Sequence, residues 1–200
     1  MKYLALDVVI LLPKEISKKI ISMNRKQIKL GEKILILNNR NSIPHISLAI
    51  GYIDTKYLNV VKDITRKIVA KFSNIDVEIE NMYKTALTGS LALKINKSKK
   101  LQEFHESIID GLRPYFSLTP SRNVFYKSEK VDHHTIDTVK NYVKKASYEK
   151  FTPHITIATT GNIITIKRIK FKAEKVALCQ LGLNCTCSKI IFSFNLEKQK

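Results

Sequence analysis

One six-residue pattern occurs twice in this chain, as Pro44-His45-Ile46-Ser47-Leu48-Ala49 and as Pro153-His154-Ile155-Thr156-Ile157-Ala158, and no other feature constrains its fold as strongly. Four positions are identical between the copies, and the other two exchange Ser for Thr and Leu for Ile. On a strand, alternate side chains share a face, so each copy presents its imidazole and hydroxyl together and turns its Ile and Leu residues into apolar packing. If the two strands face each other, two histidines flank a site with a hydroxyl on either side, an arrangement suited to phosphodiester chemistry without a metal.

The rest of the chain supplies the scaffold. At 200 residues, 44% of them hydrophobic, it is long enough for one domain, or two small lobes sharing a core. The apolar run from Tyr3 to Leu12 is interrupted by Asp7, is followed by no small-residue cleavage site and is too short to span a membrane, so it reads as the first strand rather than a signal peptide. A helix is expected after Pro13, with Ile16, Ile20 and Ile21 inward. Strands are expected near Lys33 to Leu37 and Ile43 to Tyr52, joined by the turn-rich Asn38-Asn39-Arg40-Asn41-Ser42. Tyr57, Leu58, Val61, Ile64, Ile68 and Phe72 form a helical stripe, and Ile75 to Ile79 and Ser90 to Ile95 read as strands.

The second half resumes the pattern. Ser98 is a candidate cap for a helix carrying Leu101, Phe104, Ile108 and Leu112, closed by Pro114. Thr119 to Asp132 reads as a loop, and Ile136, Val139, Tyr142 and Val143 mark a further helix. Strands follow at Thr152 to Thr159, Ile163 to Phe171, Lys175 to Leu183 and Lys189 to Leu196. Strands interrupted by single helices, without regular βαβ alternation, point to an α+β antiparallel fold.

Net charge is +18, from 35 Lys and Arg against 17 Asp and Glu, which favours a polyanionic partner such as RNA; a generally solvated lysine-rich surface is the competing reading. Cys179, Cys185 and Cys187 are odd in number and lack paired CxxC spacing, so buried strand thiols in a reducing cytoplasm are expected rather than a disulfide framework or structural zinc. No HExxH, EF-hand loop or dense acidic cluster signals a metal. A His45, His154 and His133 or His134 metal set has no support from spacing. His133 and His134, being adjacent, suit a helix start, and His105 borders the apolar stripe of its helix. Tyr52, Tyr148, Phe151 and Lys150 lie near the motif strands, where core packing and solvation compete with nucleotide binding.

The paired His-x-Ser/Thr motifs, each after a proline, resemble those of the 2H phosphoesterase superfamily, and most closely its bacterial and archaeal 2′-5′ RNA ligase and cyclic phosphodiesterase group. Tyr3-Leu4-Ala5-Leu6-Asp7 resembles that group's first strand and Phe151-Thr152-Pro153-His154-Ile155-Thr156 its second motif. The resemblance implies an α+β, bilobal, pseudo-twofold duplicated fold. Its two antiparallel sheets would carry outer helices and enclose a central cleft, in a single domain over 1–200 with approximate halves 1–96 and 97–200. It implies His45 and His154 as the catalytic pair and Ser47 and Thr156 as phosphate ligands, with Ser47 standing where Thr is commoner.

The expected activity is metal-independent and cofactor-free attack on a 2′,3′-cyclic phosphate RNA end or nucleotide, or on a 2′-5′ phosphodiester linkage, possible ligation included. Imidazole, with an ordinary pKa near 6.5, suits it because one ring can accept a proton while the other donates one. Which ring does which is left open by the sequence. The alternative is a non-catalytic RNA or nucleotide-binding module using the same cleft. A cytoplasmic monomer with an RNA or nucleotide substrate and no membrane association is expected.

Overall fold

The computed structural model describes residues 2–28, 35–86, 89–117, 122–127 and 131–196. The chain runs β1 (Tyr3–Leu11), α1 (Lys14–Gln27), β2 (His45–Asp54), α2 (Leu58–Val69), β3 (Asp76–Lys84), β4 (Leu91–Ile95), α3 (Lys99–Leu112), β5 (Phe116–Ser117), α4 (His133–Ala146), β6 (His154–Ala158), β7 (Ile169–Lys172), β8 (Lys175–Leu181) and β9 (Cys187–Asn195). All the pairings are antiparallel. They build one sheet of order β5-β2-β1-β8-β9 and a second of order β6-β4-β3-β7.

The expected α+β fold with two antiparallel sheets is therefore present, and each sheet takes strands from both halves of the sequence. β1 is central in the first sheet and buried from Leu4 to Ile10, which explains its near-continuous apolar run. The helices start where local chemistry dictates. The Ser98 side chain caps α3 by accepting from the Leu101 amide at 3.3 Å, and Asp132 caps α4 by accepting from the Thr135 amide at 2.7 Å. Pro13 precedes α1, whose last turn carries Arg25 and Lys26 at the negative end of the helix dipole.

Helices of one half pack on motif strands of the other: α1 lies against β6, and α3 against β2, which α4 also covers. The motif strands β2 and β6 themselves pack together. At the outer side of β2, Gly51 makes room for Phe116 of β5, since a Cβ there would sit 2.5 Å from the ring.

Several expectations need correction. Of the strand proposed for Lys33 to Leu37, positions 33 and 34 lie outside the described residues. Leu35 to Leu37 form no ladder: they are held by a side chain of α1, described below. The strand proposed for Ile163 to Phe171 exists only as Ile169–Lys172, because β3 offers ladder partners to those residues alone, and Ile163 and Ile164 are exposed. Cys179 and Cys187 are not thiols: they form a disulfide across the neighbouring strands β8 and β9, with Cα atoms 5.5 Å apart, and only Cys185 is free. Sequence spacing hid this contact, which the β8–β9 turn creates. His133 and His134 begin α4, as their adjacency suggested.

Candidate active site

Strand β2 carries His45 and Ser47, half-buried, between the fully buried Ile46 and Leu48; β6 repeats this with His154 and Thr156 between Ile155 and Ile157. Each histidine is anchored alike. The Nδ1–H of His45 donates to the carbonyl of Ile43 at 2.7 Å, and that of His154 to the carbonyl of Thr152 at 2.8 Å. In both cases the acceptor lies two residues upstream, across the proline. This fixes the tautomer and leaves each Nε2 for chemistry.

The environments then diverge. His45 Nε2 lies 3.5 Å from Oδ2 of Asp7, a β1 residue with no solvent exposure. The same Oδ2 accepts from the Ser47 hydroxyl at 2.7 Å, while Oδ1 finds no partner among the described residues. Burial works against the charge on His45, but hydrogen bonding and attraction to Asp7 outweigh it, so its pKa stands above the ordinary histidine value. Burial lifts the Asp7 carboxyl above its own usual range, with His45 and Ser47 pulling it back. Among the described residues no such carboxylate stands beside His154. Burial lowers its pKa, opposed by the bond to Thr152, and the charge of His45 lowers it further. The two imidazoles thus titrate in opposite directions from one ordinary value.

Asp7 was visible in the sequence as an interruption of an apolar strand and as the end of the stretch that resembles the group's first strand, and neither placed it in the site. An unpaired carboxylate is rarely buried fully, so that interruption was the available signal. His105 is not the boundary residue expected from its helix stripe. It is fully buried, its ring stacked on Phe151 with centroids 3.8 Å apart, and burial lowers its pKa to about 4. The aromatic candidates are occupied structurally: Tyr52 is buried and donates to the Ile136 carbonyl at 3.0 Å, and Tyr148 donates to Asp110 at 2.7 Å. Lys150 Nζ donates to the Lys144 carbonyl at 3.2 Å. Among the described residues no group of three His, Cys, Asp or Glu side chains is placed to hold a metal ion. No described helix is long and apolar enough to cross a membrane.

Two antiparallel sheets bearing a duplicated His-x-Ser/Thr strand, with both imidazoles anchored in the same way, define an α+β protein of the 2H class. The sequence profile of the 2′-5′ RNA ligase superfamily matches residues 37–173, a span that includes both motifs, and the chain belongs to that superfamily. Among solved structures it is similar to TT0787 of Thermus thermophilus, with a TM-score of 0.63 at 12% identity over 98% of this chain and 100% of that one. It is similar also to Escherichia coli LigT complexed with phosphate, with a TM-score of 0.62 at 13% identity over 100% of both chains. The LigT structure with NADP+ gives a TM-score of 0.60 at 14% identity over 98% of this chain and 99% of that one. At these identities the likeness is one of fold. Sequence comparison with curated proteins gives no match.

Proposed function

We propose that the protein is a phosphodiesterase acting on 2′,3′-cyclic phosphate RNA ends or nucleotides, or on 2′-5′ linkages, through acid–base catalysis by His45 and His154. The observation that carries this reading is the matched anchoring of two imidazoles by their Nδ1 atoms on adjacent motif strands. Displacement at phosphorus needs a base on the attacking oxygen and an acid on the leaving oxygen. Groups whose environments push their pKa values apart divide those roles.

In this reading His154, held neutral, takes a proton from the attacking water or hydroxyl as the new P–O bond forms. His45, held protonated beside Asp7, gives its Nε2 proton to the oxygen that leaves as the old P–O bond breaks. Ser47 and Thr156 donate to the non-bridging phosphate oxygens. Ser47 does so by turning its hydroxyl from Asp7 to the phosphate, which frees Oδ2 for the His45 imidazolium. Both proton transfers are supplied by side chains, so turnover is expected to persist in EDTA. The net charge of +18 suits a polyanionic substrate, and LigT, whose fold this chain shares, has been crystallised with phosphate and with ATP.

The test is incubation with 2′,3′-cyclic nucleotides and with 2′-5′ and 3′-5′ oligonucleotides in EDTA. His45→Ala and His154→Ala should each lower turnover by about 10²- to 10⁴-fold while the fold persists. Near-normal turnover in either variant overturns the assignment. Salt-sensitive RNA binding without product would instead favour a binding module.

A further inference from the structure

The register of β2 against β1 shifts between Val8 and Val9, which leaves Leu48 as the extra residue; that of β6 against β4 shifts between Leu91 and Ala92, which leaves Ile157 as the extra residue. Each bulge thus falls three residues after a motif histidine. A bulge takes one residue out of the ladder, and here its carbonyl is buried with the strand around it, so it needs another donor. Both carbonyls receive a side-chain donor from a helix of the other half of the chain. His105 of α3 donates its Nδ1–H to the Leu48 carbonyl at 2.6 Å, and Asn24 of α1 donates Nδ2–H to the Ile157 carbonyl at 2.7 Å.

Each of these side chains also grips the segment that leads into the opposite motif. His105 Nε2 accepts from the Tyr148 amide at 3.0 Å, upstream of His154, and its ring stacks on Phe151. Asn24 donates to the Leu35 carbonyl at 2.8 Å and accepts from the Leu37 amide at 3.0 Å, upstream of His45. Both residues have 0% exposure. A core polar group needed only for its own helix would bond locally; these two reach one motif strand and the approach to the other. The pattern is the same on both sides of the pseudo-twofold.

We propose that Asn24 and His105 are positioning residues, a crossed pair of interior braces that fixes where His45 and His154 stand relative to each other. Each brace ties the bulge of one motif to the entry of the other, so neither histidine strand can shift without stretching both. The inference rests on the two-histidine reading for its catalytic consequence, and on geometry alone for its structural one. Misplacement of reacting groups by about 1 Å costs about 10²-fold in rate.

The experiment compares Asn24→Leu, His105→Leu and His105→Gln with wild type, using a 2′,3′-cyclic nucleotide in EDTA. The two Leu variants should lower kcat by about 100-fold with KM within about threefold, in protein shown folded by circular dichroism. His105→Gln, whose carboxamide has both a donor and an acceptor, should recover kcat to within about tenfold of wild type. Wild-type kcat in the folded Leu variants, or a loss that merely tracks the folded fraction, overturns the proposal. If the Leu variants do not fold, the near-isosteric Asn24→Asp keeps the acceptor for Leu37 but removes both donated bonds; it must lower kcat, and an unchanged kcat overturns the proposal.

A second readout is independent of turnover: NMR titration of the imidazole Cε1–H signals of His45 and His154. Loosened braces should change the gap between the two midpoints, since the charge of His45 acts on His154. If wild type turns over no substrate, the proposed function fails and this gap alone decides the braces. An unchanged gap overturns them.

Discussion

A single buried carboxylate separates the two otherwise matched histidines. Asp7 stands beside His45 and has no counterpart described at His154, and the opposite displacement of the two imidazoles follows from it. In the proposed mechanism the low-pH limb of the rate profile belongs to His154 losing its proton and the high-pH limb to His45 losing its own. Asp7→Asn should therefore move the high-pH limb of kcat/KM toward lower pH and leave the low-pH limb nearly in place, as read from a pH–rate series. His105 makes a different prediction, about stability. Its pKa is about 4 in the folded chain against an ordinary value near 6.5, so unfolding takes up a proton below that ordinary value. Stability should be lost as pH falls from about 6.5 to about 4, by on the order of 3 kcal/mol, and should be flat with respect to this group above that window. Urea unfolding at both ends of the window checks it, and His105→Gln should remove that part of the acid sensitivity. Cys185 is the one free thiol among the described cysteines, and burial pushes its pKa up to about 12, which keeps it protonated and unreactive at neutral pH.

At the level of elements, strand alternation puts His45 and Ser47, and likewise His154 and Thr156, on a common face, while a bulge directly after each pair diverts a carbonyl to a helix side chain. Among the described residues the short strand β5 meets β2 at Tyr52 and Ile53, and β2 also packs toward β6. Gly51 leaves the space that the Phe116 ring of β5 fills. Gly51→Ala should cost about 1–3 kcal/mol, because the added Cβ would lie 2.5 to 2.8 Å from three Phe116 ring carbons in a packed region. Thermal denaturation would show it. The helix caps were readable in advance at Ser98, where a hydroxyl precedes an apolar stripe; the end of α1 and the segment after it were not, since Leu35 to Leu37 take their backbone partners from Asn24 rather than from a strand.

For the whole molecule, the decisive fact is that the two sheets do not divide the chain at its middle. The first sheet combines β1 and β2 with β5, β8 and β9, and the second combines β3 and β4 with β6 and β7. Segments 1–96 and 97–200 expressed separately should each fail to fold, because the cut removes β8 from β1, β7 from β3 and β6 from β4 and so leaves central strands of both sheets with an unpaired edge. Circular dichroism of the two fragments and of their mixture tests this, and cooperative unfolding of either fragment alone would contradict it. The charge of +18 predicts that RNA affinity, where present, falls steeply with salt.

The sequence by itself determined what local rules can determine. Alternation located the motif strands, the spacing of apolar residues located the four helices, and the duplicated histidine and hydroxyl named the candidate chemistry. Those features depend on neighbours within a few residues. What only the tertiary structure decided depends on residues far apart in the chain. The Asp7 carboxylate becomes part of the site because β1 pairs with β2. Cys179 meets Cys187 because β8 and β9 are neighbours. Asn24 and His105 become braces because each helix packs on the motif strand of the other half. A polar residue on a helix stripe carries no local mark of its distant partner, since the energy of the contact comes from burial that folding itself creates.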